Sequence, residues 1–598
     1  MIPDLEYPFD GNIIMRRRKS LRRKLLSQSG LIEKKIAVLG GSTTHDIREI
    51  LELFLLNYGI RPIFFESEYA QYWQDAMFGN KELELLEPDI IYIHTTNRNI
   101  LTYPELTDSL DEIDGLLEQQ YLHFERMWKS LEVKYHCPII QNNFEYPYYR
   151  LLGNQDAANP YGKTNFVTRL NQRFYEYAQK KEHFYINDIN YQSADYGLKE
   201  WSDPFFWHMY KYALCQRAIP MLCFNIANII KSVFGKNKKA LALDLDNTLW
   251  GGVVGDDGAE HLELGHETAL GQAYMEFQSY LKELYHRGYL LTILSKNEEQ
   301  NALSGLSHPQ MVIKKENFIK IMSNWEPKSE NLLQIANELA LLPESFVFVD
   351  DSPSERELVK CQLPEVAVPV MDKPEHYIYS IDRAGYFEAT HFSKDDLKRN
   401  DMYKQNESRI EAQKTFTDYK KYLLSLEMQA EIKKFEPFYL ARIAQLTNKS
   451  NQFNLTTRRF SEAEIKDYAE RKENVCLFGK LSDKFGDNGV VTVVMGRQEK
   501  ERFHIELWLM SCRVLKRGME AAMMDVLVEE VKRREIKIII GYYYKTAKNA
   551  MVSDFYGNFG FEKASQDKDG NSKWILKVDR YKKTNDTIEV MDQKRKEE

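Results

Sequence analysis

At Ala242-Leu243-Asp244-Leu245-Asp246-Asn247-Thr248-Leu249-Trp250-Gly251-Gly252 an apolar run ends in two carboxylates on alternate residues. Side chains alternate across a strand, so Asp244 and Asp246 leave its tip on the same side, roughly 6–7 Å apart along the chain. One such acid can attack a phosphorus or acyl centre while the other moves a proton, and both can help hold a hard divalent cation. Two later runs end the same way. Leu290-Leu291-Thr292-Ile293-Leu294-Ser295 finishes in a hydroxyl, and Phe346-Val347-Phe348-Val349 runs into Asp350-Asp351-Ser352. Between them, Trp325-Glu326-Pro327-Lys328-Ser329 places an ammonium at a helix start. Singly, an Asp-x-Asp is a capped turn and a lysine a solvated charge. Together they imply a parallel α/β sheet with its chemistry at the carboxyl ends of the strands.

This ordered set resembles the haloacid dehalogenase (HAD) phosphotransferase superfamily. The resemblance implies a Rossmann-like doubly wound sheet over 236–393, with Asp244 as nucleophile and Asp246 as general acid/base. It implies phosphate binding by Thr248, Ser295, Lys296, Asn297 and Lys328, and Mg²⁺ held by Asp244, Asp246, Asp350 and Asp351. Which of the last two dominates stays open.

The chain has 598 residues, too many for one core, so about three or four domains are expected. A formal net charge of -8 argues against a general nucleic-acid binder and for small molecules or proteins as partners. Cys137, Cys215, Cys223, Cys361, Cys476 and Cys512 lack metal-ligand spacing, which suits a reducing cytoplasm. The basic run Arg16-Arg17-Arg18-Lys19-Ser20-Leu21-Arg22-Arg23-Lys24, in an N-terminal extension over 1–34, is followed by no apolar signal core. No stretch reaches the ~18 apolar residues of a membrane span. A basic surface helix is the expectation there, and a flexible charged tail over 581–598.

From 35 to 235, strand-like runs at Ile36–Leu39, Pro62–Phe65, Ile90–His94, Pro138–Ile140 and Phe184–Ile186 alternate with helical patterns, implying a parallel sheet with crossover helices. The first ends in Gly40-Gly41-Ser42-Thr43-Thr44, where Ser42 is either a nucleophile or a helix N-cap. This region resembles the SGNH/GDSL hydrolase fold, which implies Ser42 as nucleophile, Asn97 as oxyanion donor, and Asp203 with His208 as acid and base. It departs from that pattern. The Asp of Gly-Asp-Ser is missing, and Asp-x-x-His carries two extra residues, so a domain for binding or positioning is the expected use.

A strand is expected at Val366–Val370, then a solvated helical connector over 394–431. Residues 432–580 read as helices, a three-stranded meander, a long helix near Glu520–Arg533 and a strand at Ile536–Ile540. This α+β order resembles the GNAT acyltransferase fold. There a glycine turn before the long helix offers N–H groups to acyl-CoA pyrophosphate, but here Lys516 replaces the first glycine of Arg513-Val514-Leu515-Lys516-Arg517-Gly518.

The HAD centre and GNAT-like end together, with Asp350-Asp351-Ser352-Pro353-Ser354-Glu355-Arg356-Glu357, Gln445 to Arg459, and Asp483-Lys484-Phe485-Gly486-Asp487-Asn488-Gly489, resemble the FkbH-like HAD subfamily IIIC. That resemblance implies a phosphorylated small-molecule donor such as 1,3-bisphosphoglycerate, whose glyceryl or similar acyl group passes to an acyl carrier protein or a sugar acceptor. Asn451, Trp508, Cys512 and Arg513 would line the acyl side. Cys512 is either a transient acyl carrier or a small buried residue. The alternative is a phosphomonoesterase whose outer domains only bind substrate.

Overall fold

The computed structural model describes residues 2–390, 394–450, 452–460, 462–546 and 548–591. Two units emerge, one of residues 1–237 with 382–391 and the other of 238–381 with 392–598. In the first, strands β1 (Ile32–Gly40), β2 (Ile60–Glu66), β3 (Ile90–His94), β4 (Ile139–Asn142) and β5 (Phe184–Asn187) form one parallel sheet in the order β2-β1-β3-β4-β5. Alternation along β1 supplies both faces. Ile36 and Val38 pack under the helices Gly11–Leu26, His45–Asn57 and Ile219–Val233, while Ala37 and Leu39 pack with Phe124, Trp128 and Phe174 of the opposite helices.

The basic helix therefore belongs to this unit. Asp10 caps it, Ile14, Leu21 and Leu25 are buried, and Arg18 and Arg22 pair with Glu49 and Glu52 of the next helix.

The second unit carries two sheets. Strands β6 (Ala240–Leu243), β7 (Leu290–Ser295), β8 (Phe318–Ser323) and β9 (Phe346–Val349) run parallel in the order β8-β7-β6-β9. The run Val366–Val370, expected as a strand, makes a single bridge from Ala367 to Val347, and β8 is the fourth strand instead. Leu243 pairs with both Ile293 and Val349, so the chain leaves β6, β7 and β9 at nearly one level. That register is what gathers the site.

The other sheet has eight strands: β10 (Met428–Lys434), β11 (Asn474–Asp483), β12 (Gly486–Glu499), β13 (Arg502–Met510), β14 (Ile538–Tyr543), β15 (Glu562–Gln566), β16 (Ser572–Lys577) and β17 (Ile588–Val590). Its order is β15-β16-β14-β13-β12-β11-β10-β17, with β13 and β14 parallel over four residues only. Two expectations are corrected here. The connector is not solvated, since Met402, Tyr403 and Arg409 of the helix Arg399–Lys414 are buried and Tyr403 packs under β6 and β9. The tail is bound as far as Met591: Asp525 accepts hydrogen bonds from the Tyr581 hydroxyl and the backbone of Thr584 and Asn585, and β17 pairs with β10.

Candidate active site

Asp244 and Asp350 follow adjacent strands, and the Asp244 N–H donates to the Val349 carbonyl at 2.9 Å. Lys328, second residue of a turn closed by Pro327 and first of the helix Lys328–Glu338, reaches between them. Its Nζ lies 2.8 Å from Asp244 Oδ1 and 2.6 Å from Asp350 Oδ2. Carboxylate oxygens of Asp244, Asp350 and Asp351 lie within 4.8 Å of one another. Burial pushes the Asp244 carboxyl up, the Lys328 ammonium opposes that, and the Asp350 charge adds to it. Burial alone would lower the Lys328 pKa, but its two carboxylates outweigh burial and hold it above the ordinary lysine value. Burial and the Asp350 charge likewise raise Asp351. Three acids facing one lysine leave excess negative charge, the electrostatic setting in which a hard cation is bound by oxygen ligands.

The other expected residues divide. The Asp246 carboxylate is not one of the three that cluster. Its Oδ1 accepts from Trp250 Nε1 at 2.9 Å and from the Val254 N–H at 3.0 Å, and its Oδ2 accepts from Asn297 Nδ2 at 2.7 Å. Those donors hold the carboxyl in one orientation beside Asp244. Asn297 also donates to Ser295 Oγ at 3.0 Å, tying the end of β7 to the Asp246 loop. Thr248 is buried and accepts from the Asp351 N–H at 3.2 Å, joining the two acidic loops. Lys296 is paired with Glu355 at 2.7 Å.

Arg356 carries a role that the sequence reading did not assign. Its guanidinium donates to the carbonyls of Asp350, Asp351 and Met371 at 2.8, 2.7 and 3.2 Å, pinning the acidic turn. Asn247 sits at φ +53° and its carbonyl accepts from the hydroxyls of Tyr274 and Tyr377, fixing the turn that follows the two first acids.

The acyl-side residues are not gathered around Asp244. Trp508 is fully buried in the core of the eight-stranded sheet, its ring 4.9 Å from Phe555. Cys512 lies after β13 beside Tyr403, and it is among the ionisable groups around Lys239, the residue just before β6. Asp244 is at the other end of that strand, roughly 16 Å away at strand rise. Arg513 turns to Ser511 and to the Met402 sulfur. Asn451 lies outside the described residues.

The glycine turn is covered as well. Lys516 and Gly518 have φ of +63° and +82°, but the Lys516 carbonyl accepts from the Tyr419 hydroxyl, and a Cβ on Gly518 would stand 3.1 Å from Thr587 Oγ1. Glu520 brings a carboxylate into the first turn of the following helix, where an anion would otherwise bind. Where β13 and β14 diverge, the gap is filled by the chain itself. The Leu455 N–H donates to the Trp508 carbonyl at 3.0 Å, and the Leu455 carbonyl accepts from the Tyr544 N–H at 2.8 Å.

In the first unit, Ser42 is not the helix N-cap: that position is Thr44, whose hydroxyl donates to Glu66 instead. Nor is a triad assembled. Asp203 caps its own helix through the Phe205 N–H, no hydrogen bond joins His208 to Ser42 among the described residues, and Asn97 donates from Nδ2 and backbone to Glu145 at 2.7 and 3.2 Å. Glu145 was not foreseen. Burial raises its carboxyl to about 7.

A sequence profile of the FkbH N-terminal domain matches residues 35–231. The crystal structure of the N-terminal part of BF1531 from Bacteroides fragilis, which contains a phosphatase domain complexed with Mg, shares 30% identity over 63% of this chain and 99% of that one, with a TM-score of 0.58. The chain belongs to this FkbH-type HAD family. The FkbH-type match to BF1531 runs essentially the length of that structure. The ribosomal-protein-S18-alanine N-acetyltransferase of Escherichia coli matches at 14% identity and TM-score 0.20 over 25% of this chain and 94% of its own. Ard1 from Thermoplasma volcanium matches at 16% and 0.20 over 25% and 97%. Values of this size leave the C-terminal fold of the FkbH-type chain to its own strand order. No curated protein matches it. No helix among the described residues is long and apolar enough to cross a membrane.

Proposed function

We propose that the protein is a Mg²⁺-dependent phosphotransferase acting on a phosphorylated small molecule, with Asp244 as nucleophile. The observation that carries this reading is the Asp244–Lys328–Asp350 cluster with Asp351 beside it. The phosphatase domain of BF1531 is complexed with Mg, and the excess of carboxylate over ammonium here fits the same ion, held by Asp244, Asp350 and Asp351. When bound, that ion supplies charge neutralisation for phosphoryl oxygens.

Asp244 attacks phosphorus, the bond from phosphorus to the leaving oxygen breaks, and an aspartyl-phosphate forms. Asp246, oriented by Trp250 and Asn297, gives the leaving oxygen its proton and later takes one from the water that cleaves the aspartyl-phosphate. Lys328 balances the carboxylates as charge shifts onto the phosphoryl group.

With the FkbH resemblance, the donor is an acyl-bearing phosphate such as 1,3-bisphosphoglycerate. The carrier thiol or sugar hydroxyl attacks the acyl carbon, and the C–O bond to the acyl phosphate breaks with phosphate as leaving group. Asp244 removes the remaining ester phosphate, so that a glyceryl or similar group stays on the acceptor. A second reading, a phosphomonoesterase with binding domains on either side, is favoured by the place of Cys512, near Lys239 at the end of β6 opposite Asp244. Phosphate release and intact mass of a phosphopantetheinylated carrier protein, followed together with Mg²⁺ and 1,3-bisphosphoglycerate, separate the two. An adduct with phosphate release supports acyl transfer, and phosphate without adduct supports the esterase. The near-isosteric D244N is expected to lose more than about a hundredfold in phosphate release while folding normally. Retained release in D244N would sink the nucleophile assignment.

A further inference from the structure

The strand order of the first unit reverses between β1 and β3, and open parallel sheets bind ligands at the carboxyl ends of strands at such a reversal. Ser42 follows β1 there. It is only 2% exposed, and its Oγ is buried without a hydrogen-bond partner, an arrangement that native proteins reserve for groups awaiting one. Arg98 follows β3. Its guanidinium is clamped between the rings of Tyr148 and Trp207, 5.3 and 5.1 Å from their centroids, and it forms no ion pair among the described residues.

The walls around these two groups are tied to each other. Asn99 Nδ2 donates to the Gly41 carbonyl at 2.9 Å, and Thr43 donates from its backbone and hydroxyl to the carbonyls of Lys211 and Tyr210 at 3.0 and 2.7 Å. Both Glu145 oxygens accept from Asn97; the Arg98 charge acts on that carboxyl, but no hydrogen bond from the Arg98 guanidinium is formed among the described residues. A guanidinium held flat by two rings presents its fork to an oxyanion at little entropic cost. Among the described residues no base is hydrogen-bonded to Ser42, so hydrogen bonding rather than attack is the chemistry the site favours.

We propose that this crevice is a second ligand site for a small organic anion, with the oxyanion on the Arg98 fork between Tyr148 and Trp207 and a hydroxyl or carbonyl group on Ser42. Isothermal titration of the full-length protein with 3-phosphoglycerate, glycerol 3-phosphate and glycerate tests it, because the three probes carry both oxyanions, phosphate alone and carboxylate alone. Expected is saturable binding of at least one probe, weakened at least about tenfold in R98Q and measurably in S42A, with R98K in between because it keeps charge and loses the fork. Phosphate release from p-nitrophenyl phosphate is expected to stay unchanged in all three variants. Binding of none of the probes, or equal binding by R98Q and wild type, overturns the proposal. So does p-nitrophenyl acetate hydrolysis that disappears in S42A, which would make Ser42 a nucleophile.

Discussion

Arg356 shows how a single side chain can hold a site that it does not enter. Its three carbonyl contacts stop the acidic turn from drifting apart under its own charge repulsion. Arg356→Ala leaves buried carbonyls unpaired and is expected to cost roughly 2–4 kcal/mol, seen as a lower midpoint in thermal unfolding, together with weaker Mg²⁺ dependence of phosphate release. Glu145 poses a different residue-scale problem. Its carboxyl is raised by burial from 4.5 to about 7, so between those values the folded state keeps a proton that the unfolded chain has lost. Stability from this group is therefore present at low pH and falls as pH rises through that window. Relative to E145Q, the wild type is expected to lose on the order of 3 kcal/mol between pH 4.5 and 7 in urea unfolding. His94, lowered by burial to about 3, has the opposite slope, but it is common to both proteins and cancels. Asp244 and Asp350 were legible as residues because each closes an apolar run, and Lys328 because it follows a proline at a helix start. Arg356 and Glu145 were not, because an arginine in a helix and a glutamate in a loop read as solvated charges until their burial is known.

Among the elements, the two segments near Asp483 to Gly489 and Gln445 to Arg459 that carry the FkbH-like resemblance act as joints. Asp483 is fully buried and accepts two hydrogen bonds from Arg409 at 2.7 Å each, while also capping the hairpin through the Phe485 N–H. Arg517 approaches the same carboxylate at 3.4 Å. The helix Arg399–Lys414 is thereby fastened to the β11–β12 turn. Breaking such a buried pair from one side is expected to cost about 3–5 kcal/mol, so Asp483→Ala should lower the denaturant midpoint strongly while Asp483→Asn loses less. A midpoint unchanged in D483A would show that the pair contributes nothing. The segment from Asn448 to Arg459 is the second joint. Arg459 donates to the Thr447, Asn448 and Ser450 carbonyls at the end of the helix Leu440–Lys449, and Leu455 bridges β13 and β14. Helical periodicity with many charges reads as solvated, yet Arg409 is 1% exposed, because its partner is supplied by a strand some seventy residues later.

For the whole molecule, the consequence is that the C-terminal sheet contains the meander β11 to β13 and the strand β14 expected of it, and that its own residues cover the glycine turn which the GNAT resemblance implies for acyl-CoA. The first turn after Gly518 already holds Glu520 and is overlaid by Tyr419 and Thr587, and the gap between β13 and β14 holds Leu455. Acetyl-CoA is accordingly expected to give no saturable heat in titration of the full-length protein, and micromolar binding would show that these segments move aside. What the sequence by itself determined was the five strands of the first sheet, β6, β7 and β9 with the acids at the tips of β6 and β9, and the parallel architecture of two sheets, because apolar runs bounded by polar residues are local in the chain. Strand β8 and the outer strands β10 and β15 to β17 were not legible. Tertiary structure alone decided that Asp246 points to Trp250 and Asn297 rather than into the acidic cluster, that Thr248 braces Asp351, and that Cys512 sits at the far end of β6. Each of those depends on register, burial and partners contributed from distant parts of the chain, which no local pattern encodes.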